Sequence, residues 1–560
     1  MCFILFALFA GINTIYAQGQ SPTGLVVDEN GQPMIGVQIK IEGTTVGAIT
    51  DVDGNFTIKA QKGNILLFSY VGYEQQKITY KGEKVLAIKM LPSTEMLEDV
   101  VVIGYGKQKK NSVLMTEGVI WKQLIAFSIP LLIGNLFQQL YNTVDSVVVG
   151  QFIGSEALAA VGSSNSLINL IIGMFMGISV GAGVIISQYY GAKSAEKMSW
   201  AVHTSMALSL VGGVVLTVVG VAFSPVILRW MKTPEEVLAN SNLYFRIYFL
   251  GATFNLVYNM GAGILRAVGD SMRPLYYLCV SSVVNIVLDL LFVSQLHMGV
   301  DGVAWATIIS QLISAILTVR ALMTSDDIYR LELKKLKIDF RMMKRILNMG
   351  IPSGIQQSII SLSNVIVQAN VNVYGAMAMA GFGAYNKVDG FVVLPMQSFC
   401  MAATTFTGQN IGARRMDRVK KGLFQGMVIC SIYTVGVSVL LFFKAHSILE
   451  IFSSDPGVIS YGLKTMIVMV PFYLLLSAHQ ILMGTMRGAG KSMQTMLISV
   501  GNMCVLRVIY INLFVPLFPS FDAVMWCYPI TWATTVLMDL AYMKWGRWLG
   551  QAGDRKKKRH

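Results

Sequence analysis

The sequence predicts an all-α polytopic membrane protein of about twelve transmembrane helices in two six-helix lobes, preceded by a small β-sandwich. Three observations carry this expectation. Hydrophobic side chains make up 54% of the 560 residues and charged ones only 13%, too few to cover a water-facing surface. From about residue 120 onward, apolar runs of about 20 residues or more follow one another with short polar breaks, each long enough to cross a hydrocarbon core of roughly 30 Å. An internal repeat then divides these runs into two halves.

Residues 1–18 form an apolar stretch of signal-peptide length that ends in Tyr16-Ala17-Gln18 and lacks a basic start. Residues 22–92 change character. Alternating segments such as Gly24-Leu25-Val26-Val27 and Gln38-Ile39-Lys40-Ile41, separated by turn clusters such as Glu29-Asn30-Gly31, predict about seven strands. A linker over 93–114 follows. Spans are expected to start near Trp121, Leu158, Trp200, Leu243, Leu275, Val303, Ile346, Met379, Gly422, Tyr461, Thr495 and Val524. They give an N-terminal lobe over 115–323, a basic linker over 324–345, a C-terminal lobe over 346–548 and a basic tail over 549–560.

The net charge of +14 is not gathered into a patch for nucleic acid. Lysines and arginines fall mainly in alternate breaks: Lys193 and Lys197, Arg266 and Arg273, Lys334 to Arg345, Arg414 to Lys421, Arg487 and Lys491, and the tail from Arg555 to Arg559. The positive-inside rule makes that side cytoplasmic and puts both ends of the helical bundle, the C-terminus included, on it. Export signal and basic breaks disagree about residues 18–110, because Lys107, Lys109, Lys110 and Lys122 make the approach to the first span cytoplasmic.

No enzyme chemistry emerges. The six cysteines stand singly and the five histidines are scattered, with no pair at metal-ligand spacing. His479 alone lies well inside an apolar span, where a hydrogen-bonded structural role is expected. No Gly-x-x-x-x-Gly-Lys-Ser/Thr loop is present to use ATP, and no cofactor is expected.

The repeat is arithmetical. QYYGA at Gln188 to Ala192 recurs as QNIGA at Gln409 to Ala413, and Gly162 with Asn165 recurs as Gly383 with Asn386, an offset of 221 (386 − 165). The same offset carries Gly263, Arg266, Gly269, Ser271 and Met272 onto Gly484, Arg487, Gly490, Ser492 and Met493. Because it spans about six helices, an even number, the halves run in the same sense about an axis along the membrane normal and rock against each other around a central substrate site.

Ionisable groups inside a span cost about 2.5–3.5 kcal/mol each on the insertion scale and are functional candidates by default. Asp145 falls in the first span, Asp289 in the fifth with Asn285 one turn before it, and Thr307 in the sixth. Two carboxylates sharing a poorly solvated cavity cannot both remain ionised without strain, so the pair suits a shared proton or a cation. An Na⁺ ion would use the same carboxylate, amide and hydroxyl oxygens. No other metal site is expected. Met174, Met176, Met396, Met401 and Met483 read mainly as membrane core, with an adaptable cavity lining as the alternative.

Two resemblances add to this reading. GVQIKIEGTTVGAITDVDGNFTIKA and LLFSYVGYEQQ resemble the carboxypeptidase-regulatory-like domain that precedes TonB-dependent outer-membrane receptors, and LEDVVVIGYGKQKK resembles the segment linking that domain to the receptor plug. This resemblance stops near Lys110, and no barrel follows. SIPLLIGNLFQQLYNTVDSVVVGQFIGSEALAAVG, ISVGAGVIISQYYGA, GILRAVGDSMRP, NIVLDLLFV, GVDGVAWATIISQ and TFTGQNIGARR resemble multidrug and toxic compound extrusion (MATE) transporters over about Thr116 to Trp548. The second resemblance implies a V-shaped pair of six-helix bundles, acting as a monomer in the bilayer, that exports small organic cations in exchange for H⁺ or Na⁺.

Asp145, Asn285, Asp289 and Thr307 match the cation-site residues of the family's DinF-like branch. Pro130 matches the proline at which its first helix is proposed to bend, against the simpler reading of a passive kink. Tyr244 and Asn259 resemble further lining residues. The other bacterial branch uses a glutamate in the seventh helix and an aspartate in the tenth. Here the seventh offers Gln356 and Gln357 but no acid, and Asp389 in the eighth, the one acid left in that lobe with a functional role as an alternative, is read first as a structural residue near a loop. Competing readings are a flippase for lipid-linked saccharides, which would need basic residues inside the lobes such as Arg507, and a membrane-anchored receptor or sensor, for which twelve repeated spans are excessive.

Overall fold

The computed structural model describes residues 22–91 except 30, 45, 71 and 72, and residues 115–549 except 231, 232 and 547. The expected signal segment, the linker over 93–114 and the basic tail from 550 onward lie outside the described residues. The chain divides into two compact units, Met1–Gln108 and Lys109–His560.

In the first unit the alternating segments become seven strands: β1 (Thr23–Val27), β2 (Gln38–Ile41), β3 (Gly47–Ile49), β4 (Asn55–Thr57), β5 (Ile65–Ser69), β6 (Gln76–Thr79) and β7 (Val85–Lys89). They form a three-stranded sheet ordered β4-β1-β7 and a four-stranded one ordered β3-β2-β5-β6. β1 and β7 pair in parallel; the other pairings are antiparallel. The period of two sends Val26, Ile39, Leu66 and Phe68 inward. Phe56 of one sheet meets Phe68 of the other edge to face, 5.5 Å between centroids.

The second unit begins its first lobe with α1 (Ile120–Val148), which runs into a π turn at Val149–Ile153. It continues with α2 (Ser155–Gly191), α3 (Ala195–Trp230), α4 (Glu235–Leu250), α5 (Ala252–Ala267), α6 (Met272–Leu290) with a π turn at Leu291–Gln295, and α7 (Val300–Met323). The second lobe holds α8 (Phe340–Asn372), α9 (Ala376–Gly412), α10 (Met416–Glu450), α11 (Pro456–Met469) and α12 (Tyr473–Gly488). Then come α13 (Ser492–Val500), a π turn at Gly501–Leu506, α14 (Arg507–Leu513), α15 (Phe521–Met525) and α16 (Cys527–Trp545).

Nine helical stretches among the described residues are long and apolar enough to cross a membrane. The expected fourth span is split at Gly251 into α4 and α5. The seventh, α8, is diluted by Gln356, Gln357, Asn364, Gln368, Asn370 and Asn372. The last is divided into α15 and α16.

Glycines show where the lobes meet. A Cβ placed on Gly177 or Gly181 of α2 would lie 2.2 Å or 2.4 Å from the backbone nitrogen of Gly354 or Gly350 in α8, so the two helices cross backbone on backbone, as small residues permit in membranes. Other glycines of α2, and two of α9, face open space instead. A Cβ on Gly162 or Gly173 of α2, or on Gly383 or Gly390 of α9, would meet nothing within 4 Å.

The described chain enters the second unit through a clasp that the sequence did not announce. Met115 is fully buried. Its N–H donates to Gln409 Oε1 and its carbonyl accepts from Asn410, while Arg415 and Arg418 donate to the carbonyls of Thr116 and Gly118.

Candidate functional site

The first lobe gathers its ionisable groups where three helices converge. α1 supplies Asp145, 7% exposed; α6 supplies Asn285 and Asp289, both at 0%; α7 supplies Thr307, at 2%. A π turn begins four residues after Asp145 and another two residues after Asp289, and such turns are frequent at functional sites.

Asp145 and Asp289 lie near each other, with the phenols of Tyr141 and Tyr244 beside both. Tyr141 faces Thr307, whose own hydroxyl donates to the Val303 carbonyl at 3.0 Å. Tyr248 faces Gln311. Tyr141, Tyr248 and Gln311 were missed in the sequence, although a phenol or amide among apolar neighbours on these spans was the available signal.

Asp145 Oδ1, both oxygens of Asp289 and both polar atoms of the Asn285 amide are buried without a hydrogen-bond partner among the described residues. A buried polar group left unpaired costs about 1–3 kcal/mol, and a charged one more. A proton on either carboxyl would remove its buried charge, and a hard cation would take the oxygens as ligands. The donor set therefore fits either ion.

Among the remaining expected residues, Tyr244 joins this cluster and is 2% exposed. Asn259 instead bonds Asn255 one turn back on α5, at 2.9 Å and 2.8 Å. Pro130 is buried inside α1, which continues through it. Having no N–H, it leaves the Ala126 carbonyl without its helical partner, a local weakness that suits bending.

The second lobe differs. Gln356 bonds Ser499 at 2.7 Å and accepts from Arg487 at 2.6 Å, a structural tie between helices. His479 bonds Asp539 of α16 at 2.7 Å with both side chains buried, which fits the hydrogen-bonded role expected of it. Asp539 was missed, its sequence signal being an acid within the last apolar run. Asp389 corrects the loop-proximal expectation: it lies inside α9 and accepts from Tyr385 and Tyr473. Among the described residues no group of three or more His, Cys, Asp or Glu side chains could hold a metal ion.

Two repeated bundles of membrane-length helices, with acids and an amide held unpartnered inside one of them, define a multi-pass membrane transporter built by duplication. The MatE family model matches residues 130–291 and 352–512, and the chain belongs to that family. A CarboxypepD_reg-like domain matches residues 22–102. The probable multidrug resistance protein YoeA of Bacillus subtilis is 32% identical over 68% of this chain and 84% of its own length. The multidrug export protein MepA of Staphylococcus aureus is 22% identical over 66% of this chain and 82% of its own. A crystal structure of MATE in the bent conformation superposes with a TM-score of 0.73 at 24% identity, over 79% of this chain and 98% of that one.

Proposed function

We propose that the protein is a secondary-active antiporter that exports small organic cations, drugs or toxic compounds across a bacterial inner membrane in exchange for H⁺. Na⁺ is the alternative occupant of the same oxygens. The observation that carries this reading is the set of unpartnered buried atoms on Asp145, Asn285 and Asp289, which call for an ion that binds and leaves. The relatives named for multidrug resistance and export support the substrate class.

The basic breaks face the cytoplasm in this reading, and residues 549–560 lie there with them. Pro130 lets α1 bend as the ion changes, Thr307 adds a ligand oxygen, and Tyr244 lines the cavity; Asn259 is a more distant lining residue. The functional unit is a monomer in the bilayer. The flippase reading is disfavoured by Arg507, the basic residue it would use. Arg507 is 2% exposed, with Nη1 bonded to Asn364 and Ser363 and Nη2 to Thr531.

Dye export from liposomes containing the purified full chain tests the reading. An imposed pH gradient should drive export at fixed Na⁺. Export driven only by an Na⁺ gradient would assign the site to Na⁺, and export driven by neither would reject antiport.

A further inference from the structure

A groove of about 210 Å³ opens between α2, α3, α5 and α8, walled by Phe175, Ile178, Leu208, Val211, Leu256 and Leu347. Ser209 also borders it but turns its hydroxyl onto its own helix, donating to the Met206 carbonyl at 2.8 Å. The volume is below that of ligand pockets, roughly 300–1,000 Å³, so a drug-sized molecule is a poor fit. The groove is open on one side: Val211 is 52% exposed, and the exposed Val214, Val215 and Val218 continue its outer edge along α3. A narrow apolar slot that opens towards the bilayer suits one flexible hydrocarbon chain.

Its depth matches such a chain. Leu347 stands seven residues (347 − 340) after the start of α8, and Leu208 thirteen (208 − 195) after the start of α3. At 1.5 Å per residue they lie about 10 Å and about 20 Å from the helix ends on the basic side. Each leaflet fills half of a hydrocarbon core of roughly 30 Å, so the groove is within reach of the acyl chains of the leaflet on that side. It also joins the two lobes. A Cβ on Gly350 of α8 would lie 2.5 Å from the Cα of Ile178, which walls the groove. A chain in the groove therefore buttresses the crossing of α2 on α8.

The end of the groove is basic. Thr204, one turn before Leu208 on α3, holds the chain that leads into α8: its hydroxyl donates to the Lys337 carbonyl at 3.4 Å and accepts from the Asp339 N–H at 3.2 Å. Lys337 is thereby fixed at the groove's end. Lys344 stands three residues before Leu347, on the same face of α8. Both lysines are exposed, and neither has an ion-pair partner among the described residues. The neighbouring acids are engaged: Asp339 accepts from the Met342 N–H at 2.7 Å, and Glu332 pairs with Lys335. Two unpaired cations at the mouth of an apolar slot match an anionic headgroup on a hydrocarbon tail.

We propose that this groove binds one anionic phospholipid, with an acyl chain lying between α3 and α8 and the phosphate between Lys337 and Lys344. The bound lipid ties the basic linker and α8 to the first lobe, and so favours the arrangement in which α2 crosses α8. The site goes beyond the exporter reading and needs only that the helices span a bilayer.

The test is photolabelling of the purified full chain in liposomes by phosphatidylglycerol with a diazirine in one acyl chain, against phosphatidylcholine with the same chain, followed by peptide mapping. Label should fall on residues 208–212 and on Leu347. Each lysine contributes about fivefold to the preference for phosphatidylglycerol at low salt, and high salt should reduce that preference by screening. Lys337→Gln with Lys344→Gln, both at exposed positions, should bring labelling by phosphatidylglycerol down to the level of phosphatidylcholine. Val211→Trp fills the slot and should lower labelling of Leu347 by both lipids about tenfold. Equal labelling by the two lipids in the unmodified chain, or undiminished labelling in either variant, overturns the site. Competition by an excess of glycerol 1-phosphate, which has the headgroup charge without the chains, also overturns it by assigning the lysines to a free phosphate. Dye export plays no part in these measurements, so the exporter reading stands or falls separately.

Discussion

Gln188 and Gln409 make the same hydrogen bond in opposite directions across the two lobes: Gln188 Nε2 donates to the Gly488 carbonyl at 2.9 Å, and Gln409 Nε2 donates to the Ala267 carbonyl at 2.8 Å. Donors and acceptors are related by the 221-residue repeat. The backbones are equally reciprocal. A Cβ on Gly191 would lie 1.9 Å from the Gln409 carbonyl oxygen, and one on Gly412 would lie 1.9 Å from that of Gln188. The motifs QYYGA and QNIGA thus form a two-fold latch with no room for a side chain.

The latch predicts a gating defect. Opening the lobes at this end must break both bonds, and closing them must restore the glycine contacts. Gly412→Val overpacks the closed state, at about 1–3 kcal/mol, and should lower dye export roughly tenfold or more at equal membrane abundance. Export at the level of the unmodified chain would show that the latch does not cycle.

Asp289→Asn and Asp145→Asn should each abolish ion-coupled export while leaving insertion intact. Neutral amides keep the volume of the cluster but cannot take up and release a proton. Drug resistance of cells matched for membrane abundance is the measurement, and unchanged resistance in both variants counts against the site.

A chain starting at Met115 should transport as well as the full chain. Residues 115–118 dock on Gln409, Asn410, Arg415 and Arg418, so truncation there keeps the clasp, and the basic breaks that set orientation lie after it. Export per molecule, together with a compartment-sensitive reporter on the C-terminus, decides the matter. Normal insertion with lost export would make residues 1–114 a working part of the transporter.

Phe68→Ala should unfold the sandwich without disturbing the helices. Phe68 is fully buried and packs on Phe56, and such truncations cost about 3–5 kcal/mol, a large fraction of a small domain's stability. Limited proteolysis should cut within residues 22–91, while the thermal transition of the membrane unit stays in place.

The sequence by itself determined what depends on local pattern. Period-two alternation placed the strands, apolar length placed most of the spans, and the Gln-x-x-Gly-Ala pattern shared by Gln188 and Gln409 revealed the duplication. Asp145, Asn285 and Asp289 were legible because an ionisable or amide group inside an apolar run is costly wherever the helix packs, and Thr307 through the family resemblance. Only the tertiary structure decided which polar groups find partners. Gln356 is tied to Arg487 and Ser499, Asn259 to Asn255, and His479 to an aspartate 60 residues away, whereas Asp289 and Asn285 are left without one among the described residues. A hydrogen bond between helices depends on rotation and crossing angle to within an ångström. Those are set by contacts such as Gly177 on Gly354, made by residues far apart in the chain, and no local pattern encodes them.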